Sequence, residues 1–476
     1  MAVCRSGLLP AMPCASPIPL PNVLRTLPAA VPRARLATVP RKRTAPQPPA
    51  VMASGVVPAL ESKRTRLLSN STAPGLRSAV VDAASGHLTL QWSDGLEASL
   101  HSLWLRDNCA TRRHAATGQK LFSSAQLPAH LEMSVEQVTG SSVQLRWHGD
   151  GHVSEYCAHW LRGIIPTPAE SAHSSTSSCV VPEFEFEDVR DCDPSTKLSW
   201  MQAIVSHGAT LLRGVPQTEE AVQTVAEQLG PIQLQIYGKI FNVRSEPAAI
   251  NLAYTCEAIG PHMDLCYYES PPGLQLLHCM RFDADVSGGE SFLIDGFKVA
   301  EQLRRDEPAA FDSLSRLPAT FIKDHADRPE PVLMSYRRPH FALNADGSLI
   351  GVFWSPPFEG PLQLPLHQVT EYYRAYRVLS NAIDTAPRWQ YRMQPGDLIV
   401  FNNRRMLHGR NAFRSSTPHA RSLRGCYVNI DEFANRFNVL RNRFGTLGSP
   451  EMNHFGNQDW GQGIIKLQRA PALPKG

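Results

Sequence analysis

Two histidines and one aspartate stand where they could bind a single metal ion. His262-Met-Asp264 lies between NLAYT and PPGLQLLHC, two segments with strand character. Residues i and i+2 of an extended backbone point to the same face, so the side chains of His262 and Asp264 could contact one ion together. A third ligand is needed, and His408 in DLIVFNNRRMLHGR is our candidate. Two imidazoles and one carboxylate suit mononuclear non-haem Fe(II) and leave coordination positions open.

The same His-x-Asp spacing occurs at two other places in the chain. Chance supplies about one such match among 17 histidines, so the spacing alone is weak support. His148 and Asp150 belong to an apparent hairpin turn, where Gly and Asp are expected. His325 and Asp327 lie in a charged loop interrupted by proline. Context therefore favours the motif at 262 and 264, which lies between strands.

Arg421 adds a second element to this site. It lies 13 residues after His408 and begins the run RSLRGCYVNI. Its planar guanidinium can clamp a carboxylate through two hydrogen bonds, as the distal end of a 2-oxo diacid cosubstrate requires. Taken alone, a histidine such as His408 is more often a hydrogen-bonded core or surface residue than a metal ligand. An arginine at the start of a strand is likewise more often a solvated charge at the edge of a sheet. The three motifs together are much harder to obtain by chance.

Short strands must hold these side chains in place. Residues 75–165 contain alternating runs such as LTLQW and SSVQLRWH with Gly and Asp turns, which predict a small N-terminal β domain. Residues 166–182 are rich in Ser, Thr, Pro and Ala and predict a linker. The remainder, 183–450, mixes strand-like runs with helical stretches near 195–207, 217–230, 298–317 and 367–386. We therefore predict a second domain that is mainly β with flanking helices, and a C-terminal tail at 451–476.

Neither a nucleotide nor a nucleic acid is indicated as a partner. The chain has no GxGxxG loop and no P-loop motif. The net charge of the chain is +4, from 47 basic and 43 acidic residues. Residues 1–60 carry seven Lys or Arg and no Asp or Glu. The rest of the chain therefore has 40 basic and 43 acidic residues, so the basic excess lies in the first 60 residues. A nucleic-acid-binding domain usually keeps its basic excess in the folded part. No apolar run approaches the length of roughly 18 residues that a membrane span requires.

The first 60 residues predict a targeting segment. They hold 12 of the 39 prolines, no acidic residue and no sustained period, as organelle transit peptides do. A disordered basic tail is the alternative. A transit peptide predicts an organellar location, mitochondrial rather than chloroplast, whereas its absence predicts the cytoplasm. The ten scattered cysteines include no CxxC pair, which favours a reducing compartment.

In the order of its motifs, the chain resembles the γ-butyrobetaine and trimethyllysine dioxygenases of carnitine synthesis. WLRDNC (104–109) and His152-x-Ser-Glu-Tyr-x-x-x-Trp-Leu resemble the small N-terminal domain of that family. AYT, HxD, PPGxQLLHC, SGGES and IDGF (253–297) resemble the first half of its catalytic domain. PGDLIVFNNRRMLHGR and RSLRGCY resemble the second half. The resemblance covers about residues 75–445.

This resemblance implies a double-stranded β-helix, or jelly roll, that binds Fe(II) and 2-oxoglutarate and hydroxylates an unactivated C–H bond. It implies that His262, Asp264 and His408 bind the iron and that Arg421 binds the distal carboxylate of 2-oxoglutarate. It also assigns Leu277 to the cosubstrate site. Ascorbate is expected to support activity, and a homodimer is expected because family members are often dimers.

The resemblance also implies a cage for a trimethylammonium group. Such a group cannot donate an N–H hydrogen bond, so aromatic faces recognise it. The matching positions are Tyr237, Phe241, Tyr254 and Tyr427, with Phe241 in place of a family tryptophan. Tyr427 lies six residues from Arg421, an even number, so both can face the interior of the barrel. The alternative is that four aromatic side chains in a β core are ordinary packing.

The residues that bind the substrate carboxylate in this family are matched less completely in this chain. Two asparagines bind it in the butyrobetaine enzymes, and Asn251 matches one of them. Ser355 in GVFWSPP aligns with the other, although a serine hydroxyl offers one donor and a shorter reach than an amide. Pro356 and Pro357 also change this loop, because proline has no N–H and a fixed φ.

The N-terminal domain departs from the family at its zinc site, which consists of three cysteines and a histidine. This chain keeps Cys109 and His152, but ATRRH replaces the stretch that carries the other cysteines. Recruiting His114 would give three candidate ligands, and a structural zinc site requires four. We expect no structural zinc; zinc completed by a remote ligand is the alternative.

The sequence thus predicts a 2-oxoglutarate- and Fe(II)-dependent hydroxylase of a small trimethylammonium acid, with γ-butyrobetaine first. The alternatives are trimethyllysine, or another small carboxylic acid if the aromatic residues only pack. A non-catalytic scaffold is a further alternative, motivated by Ser355 and the altered cysteine stretch. The complete donor set with Arg421 weighs against it.

Overall fold

The computed structural model describes residues 74–113, 119–128, 130–163, 165, 179–244, 252–327, 330–445, 454–455 and 458–459. The basic leader, residues 166–178 of the linker, most of the tail, His114 and Asn251 lie outside the described residues.

Two three-stranded antiparallel sheets form the N-terminal region. The alternation seen in the sequence becomes alternating burial, as in HLTLQW, where Leu88, Leu90 and Trp92 are buried. Trp147 and Tyr156 complete this core, and the Tyr156 hydroxyl donates to the Leu105 carbonyl at 2.6 Å. The strands are β1 (Leu76–Asp82), β2 (His87–Trp92), β3 (Glu97–His101), β4 (Met133–Val138), β5 (Ser142–Trp147) and β6 (Val153–Cys157), with short helices α1 (Ser102–Asp107) and α2 (Ala158–Arg162).

A six-stranded sheet forms one wall of the second region. Its long central strand LQLLHCMRF is buried along most of its length, as expected of a strand covered on both faces. In spatial order the strands are β7 (Glu183–Glu185), β8 (Ala209–Arg213), β19 (Leu398–Asn402), β11 (Leu274–Phe282), β22 (Arg421–Val428) and β9 (Phe241–Arg244), antiparallel except for the β7–β8 pair.

A four-stranded antiparallel sheet forms the second wall, and a cavity is lined by residues of both sheets. The prediction of a mainly β jelly roll with flanking helices and an N-terminal β region is confirmed. In spatial order the strands of this sheet are β10 (Ile259–His262), β20 (Met406–Arg410), β13 (Ser291–Asp295) and β18 (Arg388–Tyr391).

Four small antiparallel pairs complete the strands. One of these pairs corrects the prediction that His325 and Asp327 both lie in a loop. His325 is the last residue of a strand, and only Asp327 lies in the turn that follows. The pairs are β12 (Ser287–Gly288) with β21 (Phe413–Arg414), β14 (Ala319–His325) with β15 (Val332–Arg338), β16 (Phe341–Leu343) with β17 (Leu349–Val352), and β23 (His454–Phe455) with β24 (Gln458–Asp459).

Helices cover the outside of the sheets and begin and end at ordinary signals. In α4 the Asp193 side chain caps the first turn, Pro194 occupies the first position, and Gly208 ends the helix with φ of 78°. The helix predicted at 298–317 is two helices, because Pro308 cannot continue the first. The helices are α3 (Phe186–Arg190), α4 (Pro194–His207), α5 (Ala221–Leu229), α6 (Gly296–Asp306), α7 (Pro308–Arg316), α8 (Leu366–Thr385) and α9 (Ile430–Arg443).

Among the described residues, none of these helices has the length and apolar character needed to cross a bilayer.

Candidate metal centre and its cavity

Two neighbouring strands bring the candidate metal ligands together. His262 ends β10 and is the direct cross-strand partner of His408 on β20, with ring centroids 4.2 Å apart. Asp264 follows two residues later, and Leu265 then turns the backbone with φ of 60°. The Asn403 side chain fixes this turn: its Oδ1 accepts from the Asp264 N–H at 3.0 Å and its Nδ2 donates to the Asp264 carbonyl at 3.1 Å.

The three side chains point donor atoms at one another. One donor atom from each of His262, Asp264 and His408 lies within 4.8 Å of the others, and no other such group occurs within the part of the chain that the structure describes. His262 Nε2 is 3.4 Å from Asp264 Oδ1, and His408 Nε2 is 3.7 Å from Asp264 Oδ2. The carboxylate therefore faces both imidazoles.

The protonation states of Asp264 and His408 suit metal binding. Burial would raise the pKa of Asp264, but His408, His262 and the Tyr427 hydroxyl outweigh it and hold that pKa below the usual range. Burial and the neighbouring His262 lower the pKa of His408, so its ring is neutral. Burial acts against the charged form of His262 as well, but contact with Asp264 raises its pKa. Metal cations are bound by carboxylates that have lost their proton and by neutral imidazoles.

Further contacts orient the three ligands. His262 Nδ1 donates to the Gly260 carbonyl at 3.0 Å, which leaves Nε2 directed at Asp264. The Tyr427 hydroxyl donates to Asp264 Oδ2 at 2.6 Å. His408 Nδ1 is buried and has no hydrogen-bond partner among the described residues. A buried set of two imidazoles and one carboxylate fits Fe(II), and its donor types match the facial arrangement of non-haem iron proteins.

A buried arginine faces the same cavity. Arg421 begins β22 and is 3% exposed. Its Nε donates to the Gly289 carbonyl at 3.1 Å and its Nη2 to Ser291 Oγ at 3.3 Å. Burial, with a smaller effect of Arg410, lowers its pKa to about 9. Arg421 lines the cavity together with the three candidate metal ligands.

The aromatic residues suggested by the resemblance also line this cavity. Tyr237, Phe241, Tyr254 and Tyr427 are all present in its wall. Ring centroids of Tyr237 and Phe241 are 6.5 Å apart, and those of Phe241 and Tyr427 are 5.1 Å apart. As the even spacing predicted, Tyr427 and Arg421 reach the cavity from one strand.

Glycine at 425 makes room for one of these rings. A Cβ at Gly425 would lie 2.6 Å from the Phe241 ring and 2.9 Å from the side chain of Leu277. Leu277 itself lines the cavity from the opposing strand β11. A side chain at 425 would therefore force Phe241 out of its place.

The residues suggested for the substrate carboxylate are not brought together in the described part of the chain. Ser355 is fully buried, its hydroxyl has no hydrogen-bond partner among the described residues, and it is not part of the cavity wall. Asn251 lies outside the described residues. Tyr267 and Phe358, which the sequence did not single out, do line the cavity, with ring centroids 5.3 Å apart. The only sequence signal for Tyr267 was its position three residues after Asp264.

Within the part of the chain that the structure describes, the other two His-x-Asp motifs hold no comparable group of ligands. Asp150 is hydrogen-bonded to Arg106 and accepts from the His152 N–H at 3.1 Å. His148 lies on the surface and contacts Ser134 Oγ at 3.1 Å. Asp327 is exposed in its turn.

Hydrogen bonds join the residues at the position of the family's zinc site. The Ser154 hydroxyl donates to Cys109 Sγ at 3.0 Å, and His152 Nε2 lies 3.5 Å from the same sulfur. Thr111 Oγ1 is 3.1 Å from both Cys109 Sγ and His152 Nε2. Two potential metal ligands and two hydroxyls are gathered here, and the absence of zinc stays a prediction.

The sequence profiles of two known protein families match this chain. The sequence profile of the taurine catabolism dioxygenase TauD, TfdA family matches residues 171–427. The profile described as gamma-butyrobetaine hydroxylase-like, N-terminal, matches residues 80–162.

Similar proteins match most of the chain and nearly all of their own length. Gamma-butyrobetaine dioxygenase of Pseudomonas sp. (strain AK-1) is 33% identical over 375 residues, covering 75% of this chain and 94% of that protein. Gamma-butyrobetaine dioxygenase of Homo sapiens is 28% identical over 374 residues, covering 75% and 95%. Trimethyllysine dioxygenase, mitochondrial, of Gallus gallus is 27% identical over 398 residues, covering 78% and 90%. The chain is therefore a dioxygenase of the TauD, TfdA family, in the group of γ-butyrobetaine and trimethyllysine dioxygenases that its motifs resemble.

Proposed function

We propose that this dioxygenase uses Fe(II) and 2-oxoglutarate to hydroxylate a small trimethylammonium carboxylic acid, γ-butyrobetaine to L-carnitine in the first instance. The observation that carries the proposal is the presence of two features in one cavity. These are the three metal-ligand side chains and the buried guanidinium of Arg421.

In this proposal His262, Asp264 and His408 hold the iron, and Arg421 binds the distal carboxylate of 2-oxoglutarate. Leu277 and Ser291 are the wall residues proposed to contact the cosubstrate beside Arg421. Fe(II) bound there supplies the activation of O2, in which 2-oxoglutarate becomes succinate and CO2 and a substrate C–H becomes C–OH.

The protein contributes position and exclusion of water. Asn403 fixes the backbone of Asp264, and the Tyr427 hydroxyl holds one carboxylate oxygen. Burial and the charge of Asp264 raise the pKa of Tyr427 well above its usual value, so this hydroxyl keeps its proton and remains a donor. The apolar wall keeps solvent away from the reacting C–H bond.

The aromatic wall supports a cationic substrate. Tyr237, Phe241, Tyr254 and Tyr427 line the cavity together with the metal ligands. A quaternary ammonium group gains from aromatic faces, since it cannot form conventional hydrogen bonds. This supports γ-butyrobetaine, and trimethyllysine with the same chemistry is the runner-up.

A second candidate is another small carboxylic acid. The position of Ser355 favours it, because this side chain is fully buried away from the cavity wall instead of lining it. Ascorbate is proposed to support activity, and a homodimer remains an expectation. An organellar, mitochondrial location is supported by relatives whose names include that compartment.

Succinate release tests the proposal. Purified protein with Fe(II), 2-oxoglutarate and ascorbate is supplied in turn with γ-butyrobetaine, trimethyllysine and unsubstituted small acids. We expect the fastest release with γ-butyrobetaine and none in the Asp264→Ala variant. Equal release by wild type with and without added 2-oxoglutarate would contradict the cosubstrate, and failure to take up Fe(II) would favour the scaffold alternative.

A further inference from the structure

One arginine of the cavity wall donates hydrogen bonds to a single segment of backbone. Arg410 ends β20, is 5% exposed and lines the cavity. Its Nη1 donates to the Ala253 carbonyl at 3.4 Å, and its Nη2 donates to the carbonyls of Thr255 at 2.9 Å and Glu257 at 2.6 Å. Three acceptors of one short segment therefore converge on one guanidinium, whose planar set of N–H groups suits such contacts.

The segment that Arg410 binds carries an aromatic residue of the cavity wall. Tyr254 lies between Ala253 and Thr255, at the end of a short 3-10 helix, and lines the cavity. The bends at 255–257 belong to neither of the two large sheets. Backbone carbonyls outside a strand ladder need other donors, and Arg410 supplies three such hydrogen bonds here. The path of this segment, and with it the place of Tyr254, therefore depends on Arg410.

The charge of Arg410 and its contacts with the segment have opposite effects on a cationic ligand. A guanidinium in the cavity wall repels a trimethylammonium group, so a direct effect of its charge would weaken cation binding. An effect through Tyr254 would strengthen cation binding, because a correctly placed ring attracts the cation. The sign of the change on removing Arg410 therefore distinguishes the two effects.

We propose that Arg410 is a positioning residue that holds Tyr254 against the trimethylammonium group of the substrate. In this way Arg410 sets the preference of the enzyme for a cation over a neutral group of the same shape. The inference rests on the proposed function, in which Tyr254 belongs to the aromatic wall and Arg421 binds the cosubstrate. Arg410 thus acts on the substrate through the backbone of its neighbour.

The test compares γ-butyrobetaine with its neutral carbon isostere, in which a tert-butyl group replaces trimethylammonium. Both dissociation constants are measured by titration calorimetry, without oxygen, on protein loaded with Fe(II) and 2-oxoglutarate. Their ratio is the cation preference. The variants are Arg410→Met, Arg410→Lys, Tyr254→Leu and the double variant with Arg410→Met and Tyr254→Leu. Thermal melting and iron content are measured for each variant.

Arg392→Met is the matched control. Arg392 also donates to three backbone carbonyls of one segment, those of Asp283, Val286 and Gly288, and it is not part of the cavity wall. Its removal should leave the cation preference as in wild type, whatever its effect on stability. Arg410→Gln, whose amide keeps one donor group, replaces Arg410→Met if that variant does not fold, and the same outcomes decide.

We expect Arg410→Met to lower the cation preference by about three- to tenfold, and Tyr254→Leu to lower it by a similar factor. The double variant should match the worse of the two single variants, because both changes remove the same contact. Arg410→Lys should restore most of the preference, since an ammonium can also donate to these carbonyls. An unchanged or increased preference in Arg410→Met would overturn the proposal, as would additive losses in the double variant.

The wild-type protein separates this inference from the proposed function. Equal binding of γ-butyrobetaine and its isostere by wild type would contradict the trimethylammonium site of the proposed function, and the role of Arg410 with it. A wild-type preference for the cation that Arg410→Met retains would overturn the role of Arg410 alone. If trimethyllysine is the better substrate, trimethyllysine and its carbon isostere replace the pair.

Discussion

Asp264 is the residue on which the candidate centre depends most. It contacts both histidines, accepts from Tyr427 and is fixed through its backbone by Asn403. It also provides the only negative charge of the three-ligand group. Changes at or next to this carboxylate therefore give the most direct tests.

Asp264→Ala should reduce iron-dependent turnover by at least about a hundredfold, because two neutral imidazoles remain as ligands. Asp150→Ala and Asp327→Ala should leave turnover nearly unchanged, since neither belongs to the cavity. Succinate release during Fe(II) titration measures all three variants after each is checked for folding. Loss of activity in Asp327→Ala with activity retained in Asp264→Ala would mean that the wrong motif was chosen.

Arg421→Ala should raise the concentration of 2-oxoglutarate needed for half-maximal rate by about tenfold to a hundredfold. Fe(II) affinity should change little, because Arg421 contacts Gly289 and Ser291 and none of the three ligands. Titrations of 2-oxoglutarate and of Fe(II) measure the two effects separately. An equal loss in both titrations would show that the arginine supports the whole site.

Tyr427→Phe removes a hydroxyl and keeps a ring. The lost donor to Asp264 Oδ2 should weaken Fe(II) binding by about tenfold, the usual size of an effect on the support of a ligand. Affinity for a trimethylammonium ligand should stay close to that of wild type, since the aromatic face remains. Calorimetric titration with each ligand distinguishes these effects, and unchanged Fe(II) affinity would count against the orienting role of the hydroxyl.

At the scale of elements, periodicity predicted much of what the structure contains. Alternation predicted the N-terminal strands, and even spacing placed Arg421 and Tyr427 on one face of β22. The group of His262, Asp264 and His408 could be predicted because His262 and Asp264 are only two residues apart, although β10 ends at His262 and Asp264 lies in the turn that follows.

Other contacts could not be predicted, because they depend on where separate segments pack. Asn403 clamps Asp264 across 139 residues of sequence, and no local pattern marks such a pair. Tyr267 and Phe358 join the cavity wall from a turn and a short 3-10 helix, whose positions no periodic pattern marks. The break at Pro308 was visible in the sequence but was outweighed by the helical pattern on both sides.

Close packing of strands gives a further prediction. Gly425→Ala should destabilise the protein by about 1–3 kcal/mol, because the new Cβ overlaps the Phe241 ring and Leu277. Displacing Phe241 should also raise the KM for a trimethylammonium substrate. Gly149→Ala is the control, since a Cβ there meets no atom within 4 Å. Urea unfolding of both variants provides the measurement, and equal stabilities would contradict the close approach.

At the scale of the whole molecule, a buried histidine links stability to pH. His340 is fully buried between the Phe353 carbonyl, to which Nδ1 donates at 2.7 Å, and the Tyr372 hydroxyl, which donates to Nε2 at 2.9 Å. Burial lowers the pKa of His340 to about 4. Between pH 6.5 and 4 the unfolded chain binds this proton and the native protein does not, so stability falls as pH falls.

The contribution of His340 should be a loss of about 2 kcal/mol in the free energy of unfolding between pH 7 and pH 5. His340→Gln should show a smaller loss over the same range, whatever its stability at pH 7. His159→Gln, at an exposed position, should keep the slope of wild type. Urea unfolding at several pH values tests this, and equal slopes for wild type and His340→Gln would refute it.

The pairing of β10 with β20 has a consequence for the order of events during synthesis. His262 and Asp264 leave the ribosome long before their partners, because Asn403 lies in the turn between the late strands β19 and β20 and His408 lies on β20. Closing so large a loop is costly in entropy and is achieved only when the intervening strands have paired. A nascent chain that ends before Met406 holds two of the three donor groups without the strand that aligns them. If iron binds as proposed, its loading is therefore a late step, and a loaded centre would report that the barrel has closed.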